Sequence, residues 1–198
     1  MENIKAMVEE ESDITEAVDY IIKAGLTINQ MDSIGYFSAP ASASHHLAKR
    51  GGLAKHSVNA TRWLIKLSEA IGVTWHRYEG PYIVGMLHDV VKCRCYDFEK
   101  VDGIEKVVRR PHPYGGHGAA SIAIISSELQ FPLMPDEASA IYHHMGAFGL
   151  SGNDLRDYDH AIGIFPKQII ATHTADMLAA RFDEENAYSG WGVEWNMA

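Results

Sequence analysis

Residues 82–92 read YIVGMLHDVVK and form the most apolar helical pattern of the chain, with a histidine and an aspartate side by side inside it. Nearly every position from 82 to 91 is apolar, so the segment has no polar face to turn toward solvent. A helix that is apolar all round is buried on every side. The stretch therefore predicts a central helix that carries His88 and Asp89 into the protein core.

The segments on either side of this helix also carry helical patterns. Apolar residues recur at helical spacing between Asp13 and Gly25, and again from His56 to Ile71 with Gly72 as the stop. Further predicted helices cover residues 117–129, 135–145 and 166–182. Asp102-Gly103 lies between residues 96–100 and 105–109, and an Asp-Gly pair favours the tight turn of a β-hairpin. We therefore predict an all-α helical bundle with one short β-hairpin.

The chain divides into three parts on composition. Residues 1–44 contain one amphipathic helix and an irregular lead-in rich in Ser, Ala, Gly and Pro, and residues 45–182 form the main helical domain. Residues 183–198 contain Trp191 and Trp195, which are too apolar for a solvated end. We expect this tail to pack on the domain or on a second subunit, which would make the protein a homo-oligomer.

Charge and cysteine usage limit the function classes. The formal net charge is −9, so long nucleic acid is not expected as a partner, although a local basic pocket could hold one nucleotide. The N-terminus lacks the pattern of an export signal and no apolar run approaches a membrane span. We expect a cytoplasmic protein without a membrane partner, in which Cys93 and Cys95 are free thiols.

The pair His88-Asp89 is the first sign of a metal site. Burying an imidazole beside an ionised carboxylate costs several kcal/mol unless the two groups pair or bind a cation. A neutral His–Asp hydrogen bond in the core remains the alternative for the dipeptide alone. His56 and Asp176 also fall on apolar helix faces, so the four side chains could meet around one divalent ion.

Two further histidines could hold a second ion. We predict His117 and His143 as its ligands, with the two oxygens of Asp89 bridging the pair of metals. Two metals a few ångströms apart can stabilise both the attacking and the leaving oxygen of a phosphoryl transfer. For each histidine taken singly, a hydrogen-bonded core residue remains the alternative.

At this point the sequence resembles the HD superfamily, whose members share the order His…His-Asp…Asp on a helical bundle. The spacing of these His and Asp residues resembles that of the dinuclear branch. The sequence motifs around them are similar to those of the HD domain of bacterial 3′-to-5′ exoribonucleases and of HD-GYP phosphodiesterases. The motifs are Gly51-Gly52-Leu53-Ala54-Lys55-His56, Leu87-His88-Asp89-Val90-Val91-Lys92, Gly116-His117, His143-His144-Met145-Gly146 and Asp176.

The resemblance implies two divalent metal ions, drawn from Mn, Fe, Mg, Zn and Ni, with His144 as an additional ligand. It implies hydrolysis of a phosphate ester of a nucleotide or a small cyclic or short oligonucleotide by metal-activated water, with Asp89 and Lys92 as catalytic residues. Lys92 stands where the relatives place a lysine that contacts the substrate phosphate. Other candidates for the phosphate pocket are Arg50, Arg94, Arg109, Arg110 and His46.

Two other functions fit the same residues. The six ligands also serve di-iron HD oxygenases, which cleave C–C or C–P bonds with dioxygen. A non-catalytic HD sensor that binds a nucleotide would keep the bundle without turnover. Lys92 and the motifs similar to those of the exoribonucleases favour hydrolysis over these two alternatives.

Overall fold

The computed structural model describes residues 14–147 and 150–184 of the 198-residue chain, and this part is mostly helical with a two-stranded antiparallel hairpin. This confirms the predicted helical class and the predicted hairpin. In chain order the elements are α1 (14–23), α2 (Ile28–Ser33), α3 (Gly52–Ile71), α4 (Gly80–Leu87), α5 (Lys92–Cys95), β1 (Tyr96–Val101), β2 (Ile104–Arg109), α6 (His117–Ser127), α7 (Pro135–Tyr142), α8 (Gly152–Ile164), α9 (Pro166–Leu178) and a π-helical turn (Ala179–Asp183).

The hairpin forms because its turn residues accept a left-handed backbone. Asp102 has φ 54° and Gly103 has φ 80°. Two central residues with positive φ make the tight turn whose twist matches that of the flanking strands. The register pairs Tyr96 with Arg109 at the base and Val101 with Ile104 at the tip.

One core joins the lead-in to the helical bundle. Ile21 of α1, Met31 of α2 and Tyr36 after it are fully buried in the same apolar cluster as the central helices. The Tyr36 hydroxyl donates a hydrogen bond to the carbonyl oxygen of Met86 at 2.9 Å. Residues 14–44 therefore pack as a layer against α4 rather than as a separate unit.

The predicted central helix is shorter than the sequence pattern indicated. α4 ends at Leu87, and residues 88–91 follow in tighter turns. The Lys92 amide bonds the carbonyl oxygen of Asp89 at 2.9 Å, a three-residue spacing instead of four. Side chains three residues apart eclipse one another in such a backbone. This places the side chains of Asp89 and Lys92 on the same side of the chain.

Three helices, α2, α5 and α8, were not predicted, and one prediction lies outside the described residues. α8 has no buried residue, so its sequence lacks the apolar stripe by which a helix is recognised. The predicted packing of the tail concerns residues 183–198, of which residues 185–198 lie outside the described part. None of the helices in the described ranges is both long and apolar enough to cross a membrane.

Two glycines allow the helices around the centre to approach closely. A Cβ on Gly85 would lie 2.2 Å from Oγ1 of Thr61, so only glycine lets α4 lie this close to α3. A Cβ on Gly118 would lie 1.9 Å from the carbonyl oxygen of Tyr142, where α6 crosses the end of α7. The first contact brings the last turns of α4 against the middle of α3, and the second brings the start of α6 against the end of α7.

Candidate metal centre

Four side chains from three parts of the fold meet in one cluster at the core. His56 comes from α3, His88 and Asp89 follow α4, and Asp176 comes from α9. Their facing atoms are separated by 3.0 Å (His56 Nε2 to Asp176 Oδ1), 3.3 Å (His56 Nε2 to His88 Nε2), 3.6 Å (His56 Nε2 to Asp89 Oδ2), 3.6 Å (His88 Nε2 to Asp89 Oδ2) and 3.8 Å (His88 Nε2 to Asp176 Oδ1).

This spacing suits a divalent ion. Ligand bonds of about 2.1 Å place neighbouring donor atoms roughly 3.0–3.4 Å apart at right or tetrahedral angles. The observed separations of 3.0 to 3.8 Å lie in or just above that range. The four predicted residues can therefore hold a metal ion with little movement.

A second group shares Asp89 with the first. Asp89 Oδ1 lies 3.4 Å from Nδ1 of His117 and 3.4 Å from Nε2 of His144. Nε2 of His144 is buried and has no hydrogen-bond partner among the described residues. A buried imidazole nitrogen without a hydrogen-bond partner is unusual in a folded core. Its position opposite a carboxylate oxygen fits a cation between the two.

Of the neighbouring histidines His143 and His144, the one that lies beside Asp89 is His144. His143, predicted as a ligand, packs its ring against Tyr142 and Tyr158 at 4.7 and 5.4 Å between centroids, and burial lowers its pKa. α7 ends at Tyr142, so the chain turns here and sends the two side chains to different sides. His144, predicted only as an additional ligand, therefore takes the place predicted for His143.

In His56, His88 and His144 the ring nitrogen that faces away from the centre is held by an oxygen acceptor. Nδ1 of His88 donates to the carbonyl oxygen of Gly85 at 2.9 Å, and Nδ1 of His144 donates to that of Ile141 at 2.7 Å. Carbonyl oxygens only accept, so these nitrogens carry the protons and leave each Nε2 as a lone pair toward the centre. Such outer partners are the usual way of orienting metal-binding imidazoles.

The electrostatics keep both carboxylates ionised. Burial alone would raise the pKa of Asp89, but the charges of Lys92 and His88 hold it well below its ordinary value. Burial also opposes ionisation of Asp176, and the neighbouring imidazoles of His56 and His88 lower its pKa well below the ordinary range. Ionised carboxylates beside imidazole lone pairs are the donor set that divalent transition metals prefer.

Without a metal, the same carboxylates attract protons to the histidines. Burial lowers the pKa of His56, but hydrogen bonds with Asp176 and Glu184 outweigh it and raise the value to about 9. For His144 the pKa is likewise raised by Asp89 against the effect of burial. The centre therefore requires positive charge, supplied either by protons or by metal ions.

A cavity of about 450 Å³ opens above the cluster. Lys92 lies in its wall, 7% exposed, with Nζ 2.5 Å from Oδ2 of Asp89. The burial that lowers the pKa of Lys92 is outweighed by Asp89, so the ammonium stays charged. The lining residues are Ala41, Ser42, His45, His46, Asp89, Lys92, Tyr96, His117, Met145, Asp176, Met177, Ala180 and Arg181.

Of the residues predicted to bind phosphate, Lys92 and His46 line this cavity and the four arginines lie elsewhere. Arg50 makes two hydrogen bonds to Glu105, at 3.0 and 2.9 Å, and covers the ring of Phe98. It therefore ties the hairpin to the start of α3.

The other three arginines have similar structural positions. Arg94 pairs with Glu128 and donates to the carbonyl oxygen of Ile34 at 2.9 Å. Arg110 pairs with Asp97, and Arg109 faces Tyr96 across the hairpin. The charges of Arg94 and Arg110 are thus paired with carboxylates, and none of the three arginines lines the cavity.

Three residues of the centre were not predicted. Glu184 is 4% exposed and lies beside His56, Arg181 lines the cavity, and Nδ1 of His173 donates to the carbonyl oxygen of His144 at 2.7 Å. The sequence analysis places Glu184 in the aromatic tail and gives it no role at the site. His173 lies one helical turn before Asp176, the one signal that could have indicated its side of α9.

The described residues therefore contain buried groups of His and Asp that can hold metal ions, an arrangement compatible with an HD-type site. Comparison of the chain with family models, with curated proteins and with solved structures gave no match.

Proposed function

We propose that this chain is a phosphohydrolase or phosphodiesterase of the dinuclear HD type, which hydrolyses a phosphate ester of a nucleotide or of a small cyclic or short oligonucleotide. One observation carries the proposal. Asp89 belongs to two groups of metal-binding side chains at once, on the wall of a cavity that also contains the ammonium of Lys92.

Six residues would hold the two ions. His56, His88 and Asp176 would bind the first, His117 and His144 the second, and Asp89 would bridge them through Oδ2 and Oδ1. Two divalent ions in this arrangement lower the pKa of a water molecule and neutralise charge on phosphoryl oxygens. Imidazole with carboxylate suits Mn, Fe, Zn or Ni better than Mg, which prefers oxygen ligands.

The residues of the chain contribute orientation and charge. His88 and His144 are locked by backbone carbonyl oxygens, so their Nε2 atoms need no reorganisation to act as ligands. Lys92 is a fixed positive charge in a wall from which water is largely excluded, where a hydrogen bond to a phosphoryl oxygen is strong. Its role would be to hold one such oxygen next to the bridging carboxylate.

The size and charge of the molecule favour a small substrate. A cavity of about 450 Å³ lies within the range of roughly 300–1,000 Å³ that accommodates small molecules. The net charge of −9 repels a long polyanion, and three of the four predicted arginines pair with carboxylates outside the cavity. A nucleotide held by one phosphate group fits both constraints.

The test is a screen of the full chain loaded separately with Mn²⁺, Fe²⁺, Zn²⁺, Ni²⁺ and Mg²⁺. Substrates would be nucleoside mono- and triphosphates, cyclic dinucleotides and short oligonucleotides, with product release followed by chromatography and phosphate assay. We expect turnover without oxygen, and none in the Asp89→Ala variant.

Three other results would each contradict the proposal. Metal-loaded protein that turns over no phosphate ester is not a hydrolase. Turnover that requires two irons and consumes dioxygen would identify the oxygenase. Tight nucleotide binding with no product would identify a sensor.

A further inference from the structure

The carboxylate of Glu184 lies between two imidazoles. Its Oε1 is 2.7 Å from Nδ1 of His56, and its Oε2 is in short contact with Nδ1 of His46. His56 belongs to the first metal-binding group, whereas His46 lines the cavity. One buried side chain therefore links the metal centre with the wall of the substrate cavity.

This contact specifies which ring nitrogen carries the proton. Each oxygen of Glu184 faces an imidazole nitrogen, so the carboxylate is the acceptor in both contacts. An ionised carboxylate only accepts hydrogen bonds, and Nδ1 of each histidine must therefore be the donor. In a neutral ring Nε2 then carries the lone pair, which for His56 is available to the metal-binding group and for His46 is left for the cavity.

Glu184 is held in place by the neighbouring elements. α9 continues into the π-helical turn Ala179–Asp183, a backbone form that is common at functional sites. Asp183 at its end accepts a hydrogen bond from Nε1 of Trp63 at 2.6 Å, and Asn59 donates to Oε1 of Glu184 at 3.5 Å. The turn thereby fastens Glu184 against α3 at 4% exposure.

We propose that Glu184 is a positioning residue that fixes His56 and His46 in the same tautomer, so that His56 binds metal through Nε2 and His46 presents a hydrogen-bond acceptor to the cavity. His46 then receives a hydroxyl group or a water molecule, and a neutral ring in this tautomer does not donate to a phosphate oxygen through Nε2. This revises the phosphate-binding role predicted for His46. The assignment of the metal-binding nitrogen rests on the proposed metal centre, whereas the assignment for His46 does not require turnover.

The first test reads the tautomers directly. Full-length protein labelled with ¹⁵N and loaded with Zn²⁺ would be studied by long-range ¹H–¹⁵N correlation of the imidazole rings, with His46 identified from the spectrum of a His46→Gln variant. We expect protonated Nδ1 and unprotonated Nε2 for both His46 and His56. A proton on Nε2 of either neutral ring would overturn the proposal.

The second test replaces the carboxylate by an amide. In Glu184→Gln the side chain has one accepting oxygen and one donating nitrogen, so it can accept from only one of the two histidines. We expect one ring to change to the Nε2–H tautomer and the affinity for Zn²⁺ to fall by about 10- to 100-fold, the usual effect of losing an outer-shell partner. Wild-type tautomers and wild-type affinity in this variant would contradict the proposal.

The matched control is Asp183→Asn. It removes the same charge one residue earlier, and its amide oxygen still accepts from Trp63. We expect wild-type tautomers and affinity for Zn²⁺. If Glu184→Gln does not fold, as judged by circular dichroism, the wild-type spectrum alone decides.

The outcomes separate the two proposals. Correct tautomers and bound Zn²⁺ in a protein that hydrolyses no phosphate ester would refute the proposed function and leave the role of Glu184 intact. Hydrolysis by a protein whose neutral His46 carries its proton on Nε2 would support the proposed function and refute the role of Glu184.

Discussion

Asp89 Oδ1 lies 3.4 Å from Nε2 of His144, and that nitrogen has no hydrogen-bond partner among the described residues although it is fully buried. The other oxygen of Asp89 faces His56 and His88 at 3.6 Å each. The two carboxylate oxygens of Asp89 thus face two separate sets of imidazoles. In the proposed dinuclear centre His144, rather than its neighbour His143, would be the ligand that determines whether a second ion binds.

Replacing His144 should therefore remove one metal and leave the other. Loss of an outer-shell partner alone costs about 10- to 100-fold in affinity, so His144→Ala should weaken the second site by more than about 100-fold. Isothermal titration and elemental analysis should show two ions per wild-type chain and one per variant chain.

The neighbouring histidine provides the matched control. His143→Ala removes an identical ring that packs on Tyr142 and Tyr158, outside both groups. It should keep two ions with affinities close to the wild type. Loss of an ion in His143→Ala but not in His144→Ala would restore the assignment made from the sequence.

The close contact of Gly118 with Tyr142 should be required for the second site. A Cβ at this position would lie 1.9 Å from a backbone carbonyl oxygen, which cannot rotate away as a side chain could. Overpacking of a core typically costs about 1–3 kcal/mol, so Gly118→Ala should lower the free energy of unfolding of the metal-free protein by at least about 2 kcal/mol. Urea denaturation measures this, and the second metal should also bind more weakly because α6 and α7 separate.

Gly163→Ala is the control for the glycine experiment. Gly163 lies in α8, and a Cβ there would have no heavy atom within 4 Å. Alanine should stabilise this helix by about 0.5–1 kcal/mol. Equal changes in the free energy of unfolding for the two substitutions would mean that the contact between α6 and α7 tolerates a side chain at Gly118.

The sequence predicted the elements and the participants of the centre better than the details of its geometry. Apolar periodicity indicated the helices that carry His56, His117 and Asp176, because a buried helix face leaves a regular pattern. The choice between His143 and His144 depends on where α7 ends, and helix ends are set by local turns that periodicity does not resolve.

The positions of the arginines could not be predicted for a different reason. Arg50 and Arg94 are long cations whose partners, Glu105 and Glu128, are distant in sequence. The sequence shows that a positive charge is present, but it does not show with which carboxylate that charge forms an ion pair. Glu184 was missed for the same reason, since only the folded chain brings it to His56.

Lys92 should affect metal binding and catalysis in opposite directions. Its ammonium lies 2.5 Å from Oδ2 of Asp89, so removing it leaves the carboxylate more attractive to a cation. Lys92→Gln should therefore bind Mn²⁺ at least as tightly as the wild type. Because a charged donor for the phosphoryl oxygens is lost, kcat should fall by about 100-fold, measured with bis(p-nitrophenyl) phosphate and p-nitrophenyl phosphate.

Arg50→Gln tests whether any nearby cation would have the same effect. Arg50 was predicted beside Lys92 as a phosphate-binding residue, yet it is engaged with Glu105. Its loss should leave kcat and the affinity for Mn²⁺ near the wild type. A fall in kcat as large as that of Lys92→Gln would place Arg50 in the phosphate pocket after all.

Metal binding should release protons at neutral pH, and the affinity should rise with pH. Burial lowers the pKa of His56, but its hydrogen bonds with Asp176 and Glu184 raise the value to about 9 in the metal-free protein. Below that pH the ring carries a proton that a metal must displace, and above it the competition disappears. Calorimetric titration with Zn²⁺ near pH 7, in buffers of different ionisation enthalpy, should show a net release of protons that shrinks toward pH 9. A release of zero near pH 7 would mean that His56 is already unprotonated, so that its two carboxylate partners do not hold a proton on the ring.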